Sequence, residues 1–183
     1  MKRAYRDRAL SRLYADLGSG DFDVREYALF QLALMLQRVN IEVSTSGDYL
    51  EGEQLSRDLL RIRLSPADQA QIVAHLLRLI PRYADSRASA LWALGEVLAD
   101  VALSPGMAAI REYGNQFNDE AAFQACRALQ QWLSRDELHT RLIDELLGDN
   151  GPMPWLRRWS RSTDRRLAKR AKAVIHIVKG LSD

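Results

Sequence analysis

The chain has 183 residues, 47% of them apolar and 27% charged, with ten glycines and five prolines, which favours one globular helical domain over 1–183 and argues against a disordered or sheet-rich protein. Its single cysteine, Cys126, excludes an internal disulfide. Its longest apolar stretch, Tyr27 to Leu36, is interrupted by Gln31 and falls far short of the roughly 20 residues of a membrane span, so none is expected.

Helical periodicity dominates the chain from its start. Tyr5, Ala9, Leu10, Leu13, Tyr14 and Leu17 predict a first helix, and Val24, Tyr27, Ala28, Leu32, Met35, Leu36 and Val39 predict a second. All seven of the latter are expected on one stripe that another element covers. Between Asn40 and Leu64 the period changes. Ile41-Glu42-Val43 and Leu60-Arg61-Ile62-Arg63-Leu64 alternate with period two around Ser44 to Gly52, predicting a hairpin or an irregular excursion with a short helix near Gln54. Connections of this length are commonly functional or mobile.

Ser65-Pro66 then marks a helix start, a hydroxyl cap followed by a proline whose missing N–H is harmless in the first turn. Ile72, Val73, Leu76, Leu77 and Ile80 form its stripe, and Pro81 marks its end. Ala90, Leu91, Leu94, Leu98 and Val101 read as one further stripe, with Asp85 in the N-terminal position that welcomes a carboxylate. Ser104-Pro105 predicts another start and Gly114 a break. Ala122, Ala125, Cys126, Leu129, Trp132 and Leu133 follow Asp119. Ser134 with Glu137 forms a capping box before Leu138, Leu142, Ile143 and Leu146. After the break at Gly148 to Pro154, a short helix is expected to carry Trp155 and Trp159, and a last one Leu167, Ala171, Val174, Ile175 and Val178. Short connections between these helices predict antiparallel neighbours.

The second helix of each pair repeats. Arg25-x-x-Ala28-x-x-x-Leu32 aligns with Arg87-x-x-Ala90-x-x-x-Leu94, each with an aspartate two residues earlier, Asp23 and Asp85. Ala122-x-x-Ala125-x-x-x-Leu129 keeps the spacing without the arginine, and Ala168-x-x-Ala171-x-x-x-Ile175 keeps it more loosely. A small Ala permits close helix approach, Leu fills the space between layers, and the Arg is placed to link one repeat to the next. The pattern, above all Asp85-Ser-Arg-Ala-Ser-Ala-Leu-Trp-Ala-Leu-Gly95, resembles HEAT repeats, in particular the short ones of phycobilisome-lyase-type proteins. The resemblance covers most of residues 1–133 and weakens after Gly148. It implies an all-α, right-handed α-α superhelix, a HEAT-like solenoid of about four helix pairs with the excursion at 40–64 set into it. It also implies that a curved helical surface holds partners.

Candidate chemistry is sparse. His75, His139 and His176 fall on different predicted helices without ligand spacing, so no metal site is expected. Cys126 lies on an apolar stripe, where a thiol packs as a small hydrophobe. Glu26, Glu96, Glu112 and Asp119 could act as acid and base only if the fold brings two of them together. No phosphate loop or nucleophile elbow is present, no cofactor is expected, and an enzyme is the less favoured reading.

The charge is uneven. Residues 157–183 carry nine Lys/Arg against Asp164 and Asp183, a net +7 that leaves −5 for the rest of a chain whose formal charge is +2. Trp155, Arg157, Arg158, Trp159, Arg161, Arg165, Arg166, Lys169 and Arg170 are therefore the candidate partner-binding residues, since aromatics among arginines anchor proteins or stack on bases. The leading expectation is a cytoplasmic, non-enzymatic protein–protein interaction module, an adaptor or assembly factor. Nucleic-acid binding is the alternative, as in the HEAT-like DNA-alkylation-repair proteins. A bilin lyase-like, chromophore-handling subunit is a third reading, suggested by the resemblance alone.

Overall fold

The computed structural model describes residues 2–43, 59, 62–133 and 151–180, and among these the protein is entirely helical, with no strand. Eight α-helices follow in order: α1 Lys2–Leu17, α2 Phe22–Val43, α3 Pro66–Arg82, α4 Arg87–Gly95, α5 Ala99–Tyr113, α6 Asp119–Leu133, α7 Met153–Trp159 and α8 Arg165–Gly180. A 3-10 turn, Gly114–Gln116, leads from α5 toward α6.

Packing follows chain order. α1 packs on α2, α3 on α4, α5 on α6 and α7 on α8, while α2, α4, α6 and α8 also touch in succession, as do α1, α3 and α5. Side-chain contacts give the direction: Arg25, Glu26 and Phe30 of α2 meet Ser86, Ser89 and Trp92 at and along α4, so the two helices run parallel. Arg6 and Tyr14 of α1 meet Asp68 and His75 of α3 with nearly the same offset in sequence. The two helices of one pair thus advance together onto the next pair.

The buried face of α2 comprises Arg25, Ala28, Leu29, Leu32, Ala33 and Leu36, the i, i+3, i+4 set turned toward α1 and α4. Leu32, Leu94 and Leu129 are each completely buried, and Ala28, Ala90 and Ala125 lie beside them where a larger side chain would separate the helices. Fully burying one such leucine stabilises the fold by about 1.5–3 kcal/mol. Ser65 caps α3 as expected, and its reciprocal partner is Asp68: the Asp68 N–H donates to Ser65 Oγ at 3.2 Å, and Ser65 N–H donates to Asp68 Oδ2 at 2.8 Å.

Four local expectations are corrected, and a fifth, the alternation around Ile62, is kept by a segment of irregular backbone. Val24 and Tyr27, expected under cover, are 40% and 60% exposed, because they lie on the edge of the first pair rather than on the side facing α1 and α4. Ile41-Glu42-Val43 continues α2 instead of starting a strand. Ile62 and Leu64 are buried and Arg63 is exposed, an alternation carried by a segment outside any helix or strand. Leu91 to Val101 is not one helix, since α4 ends at Gly95 and α5 begins at Ala99. A Cβ on Gly95 would lie 3.0 Å from Ala128 Cα, so the helix end approaches α6 at backbone distance, and the Gln69 side chain accepts the freed Leu98 N–H at 3.3 Å. Finally, Ser104-Pro105 does not start a helix. Pro105 sits inside α5, whose position is held by burial of Ala99, Ala102, Leu103, Met107 and Ile110, enough apolar contact to outweigh the roughly 3 kcal/mol of an interior proline. The capping box at Ser134, the stripe from Leu138 to Leu146, and residues 44–58, 60 and 61 of the expected excursion lie outside the described residues.

Candidate interaction surface

The C-terminal pair begins at Gly151 and Pro152, both buried, and enters α7 with Pro154 in its first turn. Seven residues allow only two turns, so Met153, Leu156 and Trp159 face inward at i, i+3 and i+6. Trp155 lies across the backbone of Gly114, where a Cβ would stand 2.8 Å from the indole, and its Nε1–H donates to the Arg111 carbonyl at 3.1 Å. Trp159 stacks on Phe117 with ring centroids 6.1 Å apart, and Trp155 stacks on Trp159 at 6.5 Å. Guanidinium groups close both ends of this aromatic file: Arg87 lies 5.9 Å from the Phe117 ring and Arg158 5.7 Å from the Trp155 ring.

Asp164 starts α8. Its carboxylate accepts the Arg166 N–H at 2.7 Å and the Leu167 N–H at 3.2 Å. These backbone donors, Leu167 first, hold its carboxyl below the usual carboxylate range. Leu167, Ala171, Val174 and Val178 are completely buried, and α8 packs against α6 and α7. Two cations fasten the contact: Arg166 pairs with Glu120 at 3.4 Å, Arg170 donates to Gln130 at 2.7 Å, and both guanidiniums approach the Phe123 ring, at 5.5 and 5.3 Å. Here the link between successive pairs changes direction. Arg25 and Arg87 reach forward to the segments preceding α4 and α6, whereas Ala122 replaces the arginine in α6 and Arg166 reaches back from α8.

The nine candidate residues therefore divide into three groups. Trp155 and Trp159 are absorbed into packing, and Arg166 and Arg170 into docking α8. Arg157, Arg158, Arg161, Arg165 and Lys169 are exposed, and none has a carboxylate partner among the described residues. Lys172 joins this exposed set. A cleft of about 300 Å³ opens beside them, lined by Asn115, Phe117, Asp119, Arg158, Arg161 and Ser162 among others. Asn115 and Phe117 were not singled out from the sequence; their signal is only an aromatic next to the Asn118 cap of α6, whose Oδ1 accepts the Ala121 N–H at 2.9 Å.

The remaining candidates stay apart. Glu26 accepts from Ser89 Oγ at the first junction, and Glu96 pairs with Arg127 at 2.7 Å at the second. Glu112 and Asp119 are exposed. His75 stacks on Tyr14 at 4.2 Å, His176 is exposed on α8, and His139 lies outside the described residues. Burial pushes the Cys126 thiol up to about 12. Among the described residues no three His, Cys, Asp or Glu side chains are placed to hold a metal ion, and no described helix is long and apolar enough to cross a membrane. No family model, curated protein or solved structure matches this chain.

Proposed function

We propose that this protein is a non-enzymatic interaction module, a HEAT-like stack of about four helix pairs wound as a right-handed α-α superhelix, whose basic terminal face receives an anionic macromolecule. Support for the stack comes from the parallel succession α2, α4, α6 and α8 and from the side-chain offsets near 62 that both helices of the first pair share. The observation that carries the binding role is the contrast among cations. Arg25, Arg87, Arg127, Arg166 and Arg170 are tied to acceptors, whereas six cations at the C-terminal end are exposed without a carboxylate partner among the described residues. Six like charges held on one surface repel one another; a polyanion's negative charges relieve that repulsion, and release of its condensed counterions favours the association.

Chromatography on immobilised heparin tests the reading. The intact chain is expected to be retained at physiological ionic strength, and a variant with Arg157, Arg158, Arg165 and Lys169 changed to Gln to elute at much lower salt. Passage of the intact chain without retention would remove the proposal.

A protein adaptor role has its own support at the opposite end. Tyr5, Phe22, Val24 and Tyr27 are the exposed large apolar side chains among the described residues, all on the first pair. Val24 and Tyr27 are the counterparts, 62 residues earlier, of Ser86 and Ser89, which contact the preceding pair within the stack. An apolar edge in that position suits a helical partner protein. Changing Tyr27 and Val24 to Ser should abolish co-elution with such a partner while leaving heparin retention unchanged; loss of neither would discard this second reading.

A further inference from the structure

The geometry of the basic end narrows the class of anion, given the binding-module reading above. α8 has no acidic residue between Arg165 and Gly180. Arg165, Lys169 and Lys172 stand at i, i+4 and i+7 on its exposed side, opposite the buried Leu167, Ala171 and Val174, so three cations follow one line over about 10 Å. Arg157, Arg158 and Arg161 extend the same positive field from α7 and the turn after it.

What accompanies the charge separates the candidate partners. Protein interfaces draw most of their energy from desolvated aromatic or aliphatic anchors. The exposed large apolar side chains among the described residues lie on α1 and α2, not here. Single-stranded nucleic acid is held largely by bases stacking on aromatic rings. Trp159 is buried against Phe117, and the half-buried Trp155 indole packs on Gly114, donates to the Arg111 carbonyl and carries Arg158 over its ring, so both rings are already engaged. Insertion of a basic amphipathic helix into lipid requires its apolar face, and in α8 the centre of that face, Leu167, Ala171, Val174 and Val178, is completely buried as the helix packs against α6 and α7. A charged, rigid surface without anchors matches the phosphate backbone of a duplex, where neutralisation alone supplies affinity and the sequence is not read.

We infer that Arg157, Arg158, Arg161, Arg165, Lys169 and Lys172 form a sequence-independent docking surface for the phosphate backbone of double-helical nucleic acid. Fluorescence anisotropy with the full chain tests this, using two labelled duplexes of about 20 bp and unrelated sequence, a single strand of the same length, polyglutamate, and phosphatidylserine vesicles as competitors. The two duplexes are expected to bind equally and more tightly than the single strand. The slope of log K against log salt should be about −3.5 to −5.5, as for four to six neutralised phosphates. Changing Arg165 and Lys169 to Gln should reduce its magnitude by about 2, with unchanged circular dichroism and Tm. Tighter binding of the single strand, of polyglutamate or of the vesicles, or a slope that the substitutions leave unaltered, overturns the duplex inference while the binding-module reading stands. Failure to bind any of these anions overturns both.

Discussion

Arg25 and Ser86 lie 61 residues apart in sequence and are joined by a 2.7 Å hydrogen bond from the guanidinium Nε to the serine hydroxyl. The same guanidinium donates to the Ser19 carbonyl and to Asp85, each at 2.8 Å, and lies 4.0 Å from the Tyr83 ring. Arg87 repeats the device one pair later, donating to the Ile80 and Gln116 carbonyls. A planar, permanently charged group with five donors can satisfy several loop acceptors at once inside a packed junction, which a lysine cannot.

Because Arg25 is 1% exposed while the Asp85 side chain is 53% exposed, the two ends of this ion pair should contribute unequally. Arg25→Ala leaves a cavity and strips three part-buried or buried acceptors of their donor, a loss of about 2–4 kcal/mol. Asp85→Asn removes only a solvent-screened attraction, about 0–1 kcal/mol. Urea denaturation of both variants provides the measurement, and equal losses would contradict the junction described.

Gly106 faces the indole of Trp132, and a Cβ there would lie 2.4 Å from the ring. Alanine favours a helix over glycine by up to about 1 kcal/mol, but overpacking a filled core costs about 1–3 kcal/mol. Gly106→Ala should therefore lower Tm and alter tryptophan fluorescence, whereas Gly20→Ala, with no atom within 4 Å of its Cβ, should not perturb the fluorescence. A stabilised Gly106→Ala variant would show that Trp132 packs elsewhere.

Burial, with a smaller contribution from Arg78, lowers the His75 pKa below its ordinary value. The folded state then binds fewer protons than the unfolded state near pH 6, so this group's contribution is present above the ordinary pKa of about 6.5 and is lost as pH falls toward the folded value. Thermal melts at pH 7.5 and 5.5 should show a smaller acid-induced drop in Tm for His75→Phe, which keeps a ring against Tyr14, than for the unchanged chain. Identical drops would refute the assignment.

Cys126 is completely buried on α6, and its pKa is pushed up to about 12 by desolvation. Only the thiolate reacts with iodoacetamide. At pH 8 the native protein should remain unlabelled over hours while the urea-unfolded chain labels rapidly, as read by intact mass. Fast labelling of the native state would place the thiol at the surface.

Much of the helical layout was legible because helix formation and capping are local. The Ser65-Pro66 start, the stripe Ile72 to Ile80 and the buried Ala–Leu pairs of α2, α4 and α6 follow from spacing alone. Periodicity identifies an apolar face but not whether a neighbour covers it, which is why Val24 and Tyr27 were misplaced. Proline is equally permissible at the first turn and, with enough surrounding burial, inside a helix, so Ser104-Pro105 carried no unique instruction. At the candidate surface, composition located the cations, while the inward rotation of Trp155 and Trp159 depended on Gly114 and Phe117, about 40 residues away in sequence.

By itself the amino-acid sequence determined a mainly helical chain with repeated small-and-large spacing and a cationic C-terminus, because helix period, end caps and net charge depend on neighbours within a few residues. Only the tertiary structure decided which cations are engaged and which remain open, which aromatic rings are enclosed, and which apolar edge meets water. Those outcomes depend on the distance between groups that the chain separates by 29 to 63 residues, and no local pattern encodes that distance.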